Sequence, residues 1–272
     1  MMMERVGKTA VLVFSSTSVR MIVAAESDSI MQYSVINTPV VFSSFRCESR
    51  MENVIAFEVT VENLLAGLRP GADAEHVTMK LTKREAAQYL RVETVPRGGG
   101  VSLVQDLPVR VTGSAEMMRF TPPKLPPPTV ALFLPAPRTI AAVVDRMKTL
   151  GKQLCVEADA TPNVEGGKGA TLTLGTESDL VHSRTFFRNL VADSGADAAE
   201  DDSEEAAAIS VSCSVNAKDF AKTLHGIVDV TVAHSVQSRL AVVRDVALYV
   251  HVRLEDGTGE ITVIHSIRSL EE

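Results

Sequence analysis

The chain has 272 residues, 45% of them hydrophobic and 22% charged, a composition that supports buried cores and excludes a chain disordered throughout. No apolar run is long enough to cross a bilayer and the N-terminus, Met-Met-Met-Glu-Arg-Val-Gly-Lys, lacks the long apolar segment of a signal peptide, so a soluble intracellular protein is expected. The formal charge of −7 argues at first against a nucleic-acid partner, but residues 191–208 hold seven of the 34 acidic groups and no Lys or Arg, which leaves 27 acidic residues to balance 27 basic ones.

The first part of the chain is dominated by period-two or continuous β-branched runs: Thr9 to Phe14, Val19 to Ala25, Ile30 to Ile36, Val41 to Cys47 and Val54 to Val59. Each predicts a strand. Thr60 then stands where a cap belongs, ahead of a short helix whose Val61, Leu64, Leu65 and Leu68 form one apolar stripe ended by Arg69-Pro70-Gly71. Strands follow at His76 to Leu81, Tyr89 to Val95 and Val101 to Val111, with Gly98-Gly99-Gly100 as a loop between the last two. Gly113 to Pro128 (GSAEMMRFTPPKLPPP) is too rich in proline for a helix or a ladder and reads as an extended connector.

After the connector come strands at Thr129 to Leu134, Gln153 to Ala158, Ala170 to Leu174, Asp179 to Phe187, Ile209 to Val215, Val228 to Val232, Arg239 to Val243, Val246 to Leu254 and Glu260 to Ser266. Two helices interrupt them. One runs from about Arg138 to Leu150 with Ile140, Val143, Val144 and Met147 inward and Gly151 as its stop, and the other follows the cap Asn216 and buries Ala217, Phe220, Ala221 and Leu224. Residues 191–208, acidic and rich in alanine, read as a disordered loop. The organisation expected is α+β: an N-terminal domain over 1–112, a connector over 113–128 and a C-terminal domain over 129–272.

Catalytic and metal chemistry finds no support. The six histidines show no HExxH spacing, there is no GxSxG elbow, and Gly166-Gly167-Lys168-Gly169 lacks the spacing of a phosphate loop and reads as a hairpin turn. Cys47, Cys155 and Cys213 are far apart and read as buried thiols, so no metal and no cofactor is expected. What remains is basic residues on the helices: Arg138, Arg146, Lys148 and Lys152 on or beside the outward face of one, and Lys218, Lys222 and His225 at i, i+4 and i+7 on the other. Such faces fit either ordinary solvation or nonspecific contact with phosphates, which needs Lys and Arg but no base-reading side chains.

Short helices on antiparallel sheets, two halves and a proline-rich connector are similar to the PCNA-like clamp fold. A closer resemblance is local. Val130-Ala131-Leu132-Phe133-Leu134-Pro135 with the helix after it, Leu154-Cys155-Val156-Glu157-Ala158, Leu172-Thr173-Leu174 with Thr176-Glu177, the strand Asp106 to Val111, and the stretch from Val211 through the Lys218 to His225 helix resemble the Hus-one family of checkpoint clamp subunits. That resemblance implies two similar domains of curved antiparallel sheets with short helices on the inner face of a ring. It also implies a noncatalytic nuclear protein that joins a Rad-nine-like and a Rad-one-like subunit in a heterotrimer, encircles double-stranded DNA without sequence preference, and meets a clamp loader, checkpoint factors and repair enzymes. Family members begin with a strand and a helix ahead of the position that matches Lys8 to Phe14, so the first domain is expected to lack both. The DNA-facing residues implied are Arg69, Arg138, Arg146, Lys148, Lys152, Lys218 and Lys222, and Met117, Met118, Phe120 and Leu125 of the connector are expected to bind client motifs. A β-rich interaction scaffold that uses exposed sheet edges, without DNA, is the alternative.

Overall fold

A strand, a helix and three antiparallel strands recur three times among the described residues, which are 2–25, 30–113, 116, 126–160, 169–178, 181–193 and 209–266 of the computed structural model. Ahead of the repeats lie α1 (Met2–Val6), β1 (Thr9–Phe14), β2 (Ser18–Ala24), β3 (Ile30–Asn37) and α2 (Thr38–Val41). The first repeat is β4 (Ile55–Thr60), α3 (Val61–Leu68), β5 (Ala74–Arg84), β6 (Ala87–Pro96) and β7 (Leu103–Val111). The second is β8 (Val130–Phe133), α4 (Pro137–Leu150), β9 (Gln153–Ala160), β10 (Ala170–Glu177) and β11 (His182–Leu190). The third is β12 (Ile209–Asn216), α5 (Ala217–Ala233), β13 (Val236–Val243), β14 (Ala247–Leu254) and β15 (Gly259–Ser266).

The chain divides into two compact units, one of Met1–Val6, Ala25–Ser34 and Pro123–Glu272, the other of Gly7–Ala24 and Val35–Pro122. In the second, the strands run in the order β5-β6-β7-β4-β1-β2, all antiparallel, with Leu12 opposite Phe57 on one side and Met21 on the other. In the first, β3-β15-β14-β13-β8 form one sheet and β11-β10-β9-β12 another. Alternation places Leu240, Val242, Leu248, Val250, Val252 and Val263 out of water on the former, and Leu154, Val156, Ala158, Leu172 and Leu174 on the latter. Each such Val or Leu side chain contributes roughly 1.5–3 kcal/mol relative to exposure. The same core takes up Ile140 and Val144 of α4 and Phe220, Leu224 and Ile227 of α5.

Several expectations are corrected. Val41 to Cys47 is not a strand: Pro39, whose fixed φ suits a first helical turn, is the second residue of α2, which ends at Val41. Phe42 and Phe45 then turn inward, Phe45 stacking on Phe14 at 6.5 Å and Phe42 lying 5.5 Å from Phe45. Val228 to Val232 is not a strand either, because α5 continues to Ala233. β-Branched residues cost a helix only a few tenths of a kcal/mol each, and here Ile227 is buried and α1 packs on the same stretch. Gly226 permits that approach, since a Cβ there would lie 2.4 Å from Met2 Cγ. Thr60 occupies the N-cap position of α3 without a side-chain cap. Of the three cysteines only Cys213 is buried, while Cys155 alternates outward with Gln153 on β9 and Cys47 is intermediate. Of the acidic stretch 191–208, Val191 to Asp193 are described and lie beside β8, where the Phe133 N–H donates to Val191 O at 3.0 Å and the Asp193 N–H to Ala131 O at 2.9 Å. Residues 194–208 lie outside the described residues, as do Gly166, Gly167 and Lys168.

His265 of β15 is enclosed between sheet and helix, its Nε2 3.0 Å from Thr223 Oγ1 and its ring edge-on to Phe220 at 5.5 Å. Burial pushes its pKa down to about 4. The neutral ring is therefore the folded form, and stability is complete above the unfolded value near 6.5 and falls as the pH drops from there towards 4. Denaturant titrations across that window are expected to lose on the order of 3 kcal/mol, and His265→Gln to abolish that part of the pH slope.

Candidate nucleic-acid interface

Two helices of one unit carry most of the basic residues singled out in the sequence. α4 begins on Pro137, buries Ile140, Ala141, Val144 and Met147, and ends at Gly151, whose extended φ of −151 takes the chain straight into β9. α5 begins on Asn216, whose Oδ1 accepts the backbone N–H groups of Lys218 at 3.0 Å and Asp219 at 3.2 Å. The carboxylate of Asp219 in that first turn is also favoured by the helix dipole. With Phe220, Leu224 and Ile227 facing the core, Lys218, Lys222 and His225 fall on the opposite side.

The two helices pack together, and a concavity of about 490 Å³ on their outer side is lined by Lys148, Lys218, Lys222 and His225 with Arg5 of α1. Carboxylates are set among these cations. Asp145 accepts from Lys148 Nζ at 2.5 Å and stands 2.9 Å from His225 Nε2, so it bridges α4 and α5. Asp219 meets Lys222 at 2.9 Å and Asp229 meets Arg5 at 3.0 Å. Partial burial works to raise the Asp145 pKa, but the hydrogen bonds from Lys148 and His225 outweigh it and hold the carboxyl below its ordinary value. Four permanent cations thus face three carboxylates, and Lys218 makes no ion pair among the described residues. The lining holds no Phe, Tyr, Trp, Asn or Gln and is dominated by Lys and Arg, so it is suited to phosphate oxygens more than to base edges.

The structure therefore brings together Lys148, Lys218 and Lys222 of the sequence-derived set. Arg138 in the first turn of α4, the exposed Arg146, and Lys152, whose carbonyl accepts the Ala217 N–H at 3.0 Å, do not line the concavity. Arg69 lies in the other unit, exposed at the turn after α3. Met117, Met118, Phe120 and Leu125 lie outside the described residues. Arg5 was missed, although Val6 stands four residues after Met2 and three after Met3, the spacing of a helix face that turns Arg5 outward. His225 was visible as the third member of the α5 series but not as the partner of Asp145.

A second cavity, of about 290 Å³, lies in the other unit among Phe14, Phe42, Phe45 and Phe57, with Cys47 and His76 at its wall. It carries no activated nucleophile. Partial desolvation raises the Cys47 pKa against an opposing backbone hydrogen bond and, together with the neighbouring Glu157 carboxylate, that of Cys155, while burial pushes Cys213 up to about 12, so all three thiols stay protonated at neutral pH. No group of three potential metal ligands occurs among the described residues, and no helix among them is long and apolar enough to cross a membrane.

The family model of the Hus1-like protein matches residues 1–267. The chain belongs to that family. Among curated proteins this Hus1-like chain is 24% identical over 166 residues to the checkpoint protein hus1 of Schizosaccharomyces pombe, covering 60% of this chain and 58% of that protein. It is 30% identical over 153 residues to the human checkpoint protein HUS1, covering 55% and 52%. The matched segment thus spans only about half the length of these curated relatives. Among solved structures the Hus1-like chain is similar to PCNA from Thermococcus kodakaraensis, with a TM-score of 0.66 and 16% identity, covering 98% of this chain and 93% of that one. The fold is therefore the clamp fold expected from the sequence.

Because the Asn216 side chain caps two backbone N–H groups in the first turn of α5, Asn216→Ala is expected to lower stability by about 1 kcal/mol in chemical denaturation, and Asn216→Asp to retain most of it.

Proposed function

We propose that this chain is a noncatalytic subunit of a heterotrimeric checkpoint sliding clamp that encircles double-stranded DNA in the nucleus and serves as a platform for checkpoint signalling and repair factors. Its partners in this reading are a Rad-nine-like and a Rad-one-like subunit, with a clamp loader to open the ring. The observation that carries the proposal is the meeting of Arg5, Lys148, Lys218 and Lys222 on paired helices of a chain with the clamp fold. Membership of the Hus1-like family and the checkpoint proteins among its relatives support it.

In this reading the concavity meets the phosphate backbone without reading bases, and Arg138, Arg146 and Lys152 extend the contact along and beyond α4, with Arg69 doing the same in the other unit. Closure of a ring replaces tight binding, so a face of small net positive charge is enough. The segment with Met117, Met118, Phe120 and Leu125 is proposed to receive short client motifs, which crosslinking of a client peptide tests directly.

The assembly test is co-expression with the two partner subunits and light scattering of the purified species, where a one-to-one-to-one trimer is expected and a chain that stays alone overturns the heterotrimer, leaving only the clamp fold. For the face, the double variant Lys148→Glu with Lys222→Glu is expected to leave that trimer intact while weakening duplex binding roughly tenfold, with a salt dependence shallower by about 0.9 for each phosphate that is no longer neutralised. A scaffold without DNA rests on a different observation, the exposed edge strand β5 with Val77 and Leu81 accessible, and it requires that the same variant change nothing.

A further inference from the structure

Three carboxylates stand among the cations of the concavity, and they differ in what else holds them. Asp219 occupies the first turn of α5, where the helix dipole favours a negative charge whatever lies nearby. Asp229 and Arg5 form a pair with both side chains 40% exposed, which water screens. Asp145 is different. Its side chain is 34% exposed, it sits one turn before Lys148 on α4, and its two oxygens are taken by Lys148 and by His225 across the helix junction. A lysine held by a carboxylate releases fewer counterions on meeting DNA than a free one, because its charge is already matched.

Resting on the DNA-facing reading above, we propose that Asp145 is an electrostatic brake: it occupies Lys148 and His225, lowers the number of phosphates the face engages, and keeps the duplex loosely held. The arrangement suits a surface that must let DNA move past it, where every additional fixed contact would slow the passage. Lys218, unpaired among the described residues, supplies the baseline contact, and Lys148 is the reserve that Asp145 withholds.

Asp145→Asn tests this, since the amide keeps shape and a hydrogen-bond acceptor while removing the charge. The trimer assembled with the two partner subunits, carrying this chain or its variants, is titrated against a fluorescent duplex of about 30 base pairs, by anisotropy, between about 50 and 200 mM salt. Asp145→Asn is expected to bind about three- to tenfold tighter at the lowest salt, with a log–log salt slope steeper by about 0.9, the mark of one further phosphate neutralised. Asp145→Ser, which also removes the bridge to His225, is expected to move affinity and slope in the same direction. Wild-type affinity and slope in both variants, while the Lys148→Glu and Lys222→Glu variant binds weakly, overturn the brake and leave the DNA face standing. If the lysine variant binds as wild type, the DNA face itself is overturned and the brake falls with it.

Discussion

The need to bury an apolar stripe places every charged group of the helix pair. α4 presents Ile140, Val144 and Met147 to the core at helical spacing, and α5 presents Phe220, Leu224 and Ile227. Once those residues are out of water, the period of 3.6 leaves no choice about where Lys148, Lys218, Lys222 and His225 point. Because the helices also pack on each other, Asp145 of one reaches His225 of the other within hydrogen-bonding distance. The electrostatic surface is thus a consequence of hydrophobic packing, and a change in the core that rotated either helix would redistribute charge as well as cost stability.

The bulk charge of the chain conceals this surface. A formal −7 is dominated by the acidic stretch at 191–208, and around the helices opposite charges are interleaved at distances near 3 Å. Attraction within such pairs competes with attraction to phosphate. A near-balanced face of this kind has little affinity by itself and gains effect only where geometry keeps its ligand close, which is what enclosure in a ring would provide.

Much of the fold was legible because period-two alternation survives in most strands: Leu154, Val156 and Ala158, or Leu248, Val250 and Val252, announce one buried face. The starts of the longer helices were legible too, from Asn216 and from the helical spacing after Pro137. What was not legible depends on partners distant in sequence. Val228 to Val232 has strand composition but remains helical where α1 packs, and Phe42 and Phe45 alternate poorly because Phe45 packs on Phe14 and Phe42 on Phe45. Cys155 sits in an apolar run yet points outward, since its neighbours Leu154 and Val156 hold the core positions of β9. At the site, the lysines were visible as a spacing, and Asp145 and Asp219 stand three residues before Lys148 and Lys222, but the bridge from Asp145 to His225 was not legible, because the two are 80 residues apart.

The unit that bears the basic concavity is assembled from three stretches of chain, Met1–Val6, Ala25–Ser34 and Pro123–Glu272, with β3 next to β15 in its sheet. During synthesis β3 emerges long before its neighbour β15. Loop-closure entropy and the order of translation therefore defer completion of that sheet until β15 has left the ribosome. Until then the edge of the early strand has no lasting partner and remains open to wrong pairing. A premature stop within the last hairpin would leave the early segment without the strand that seats it.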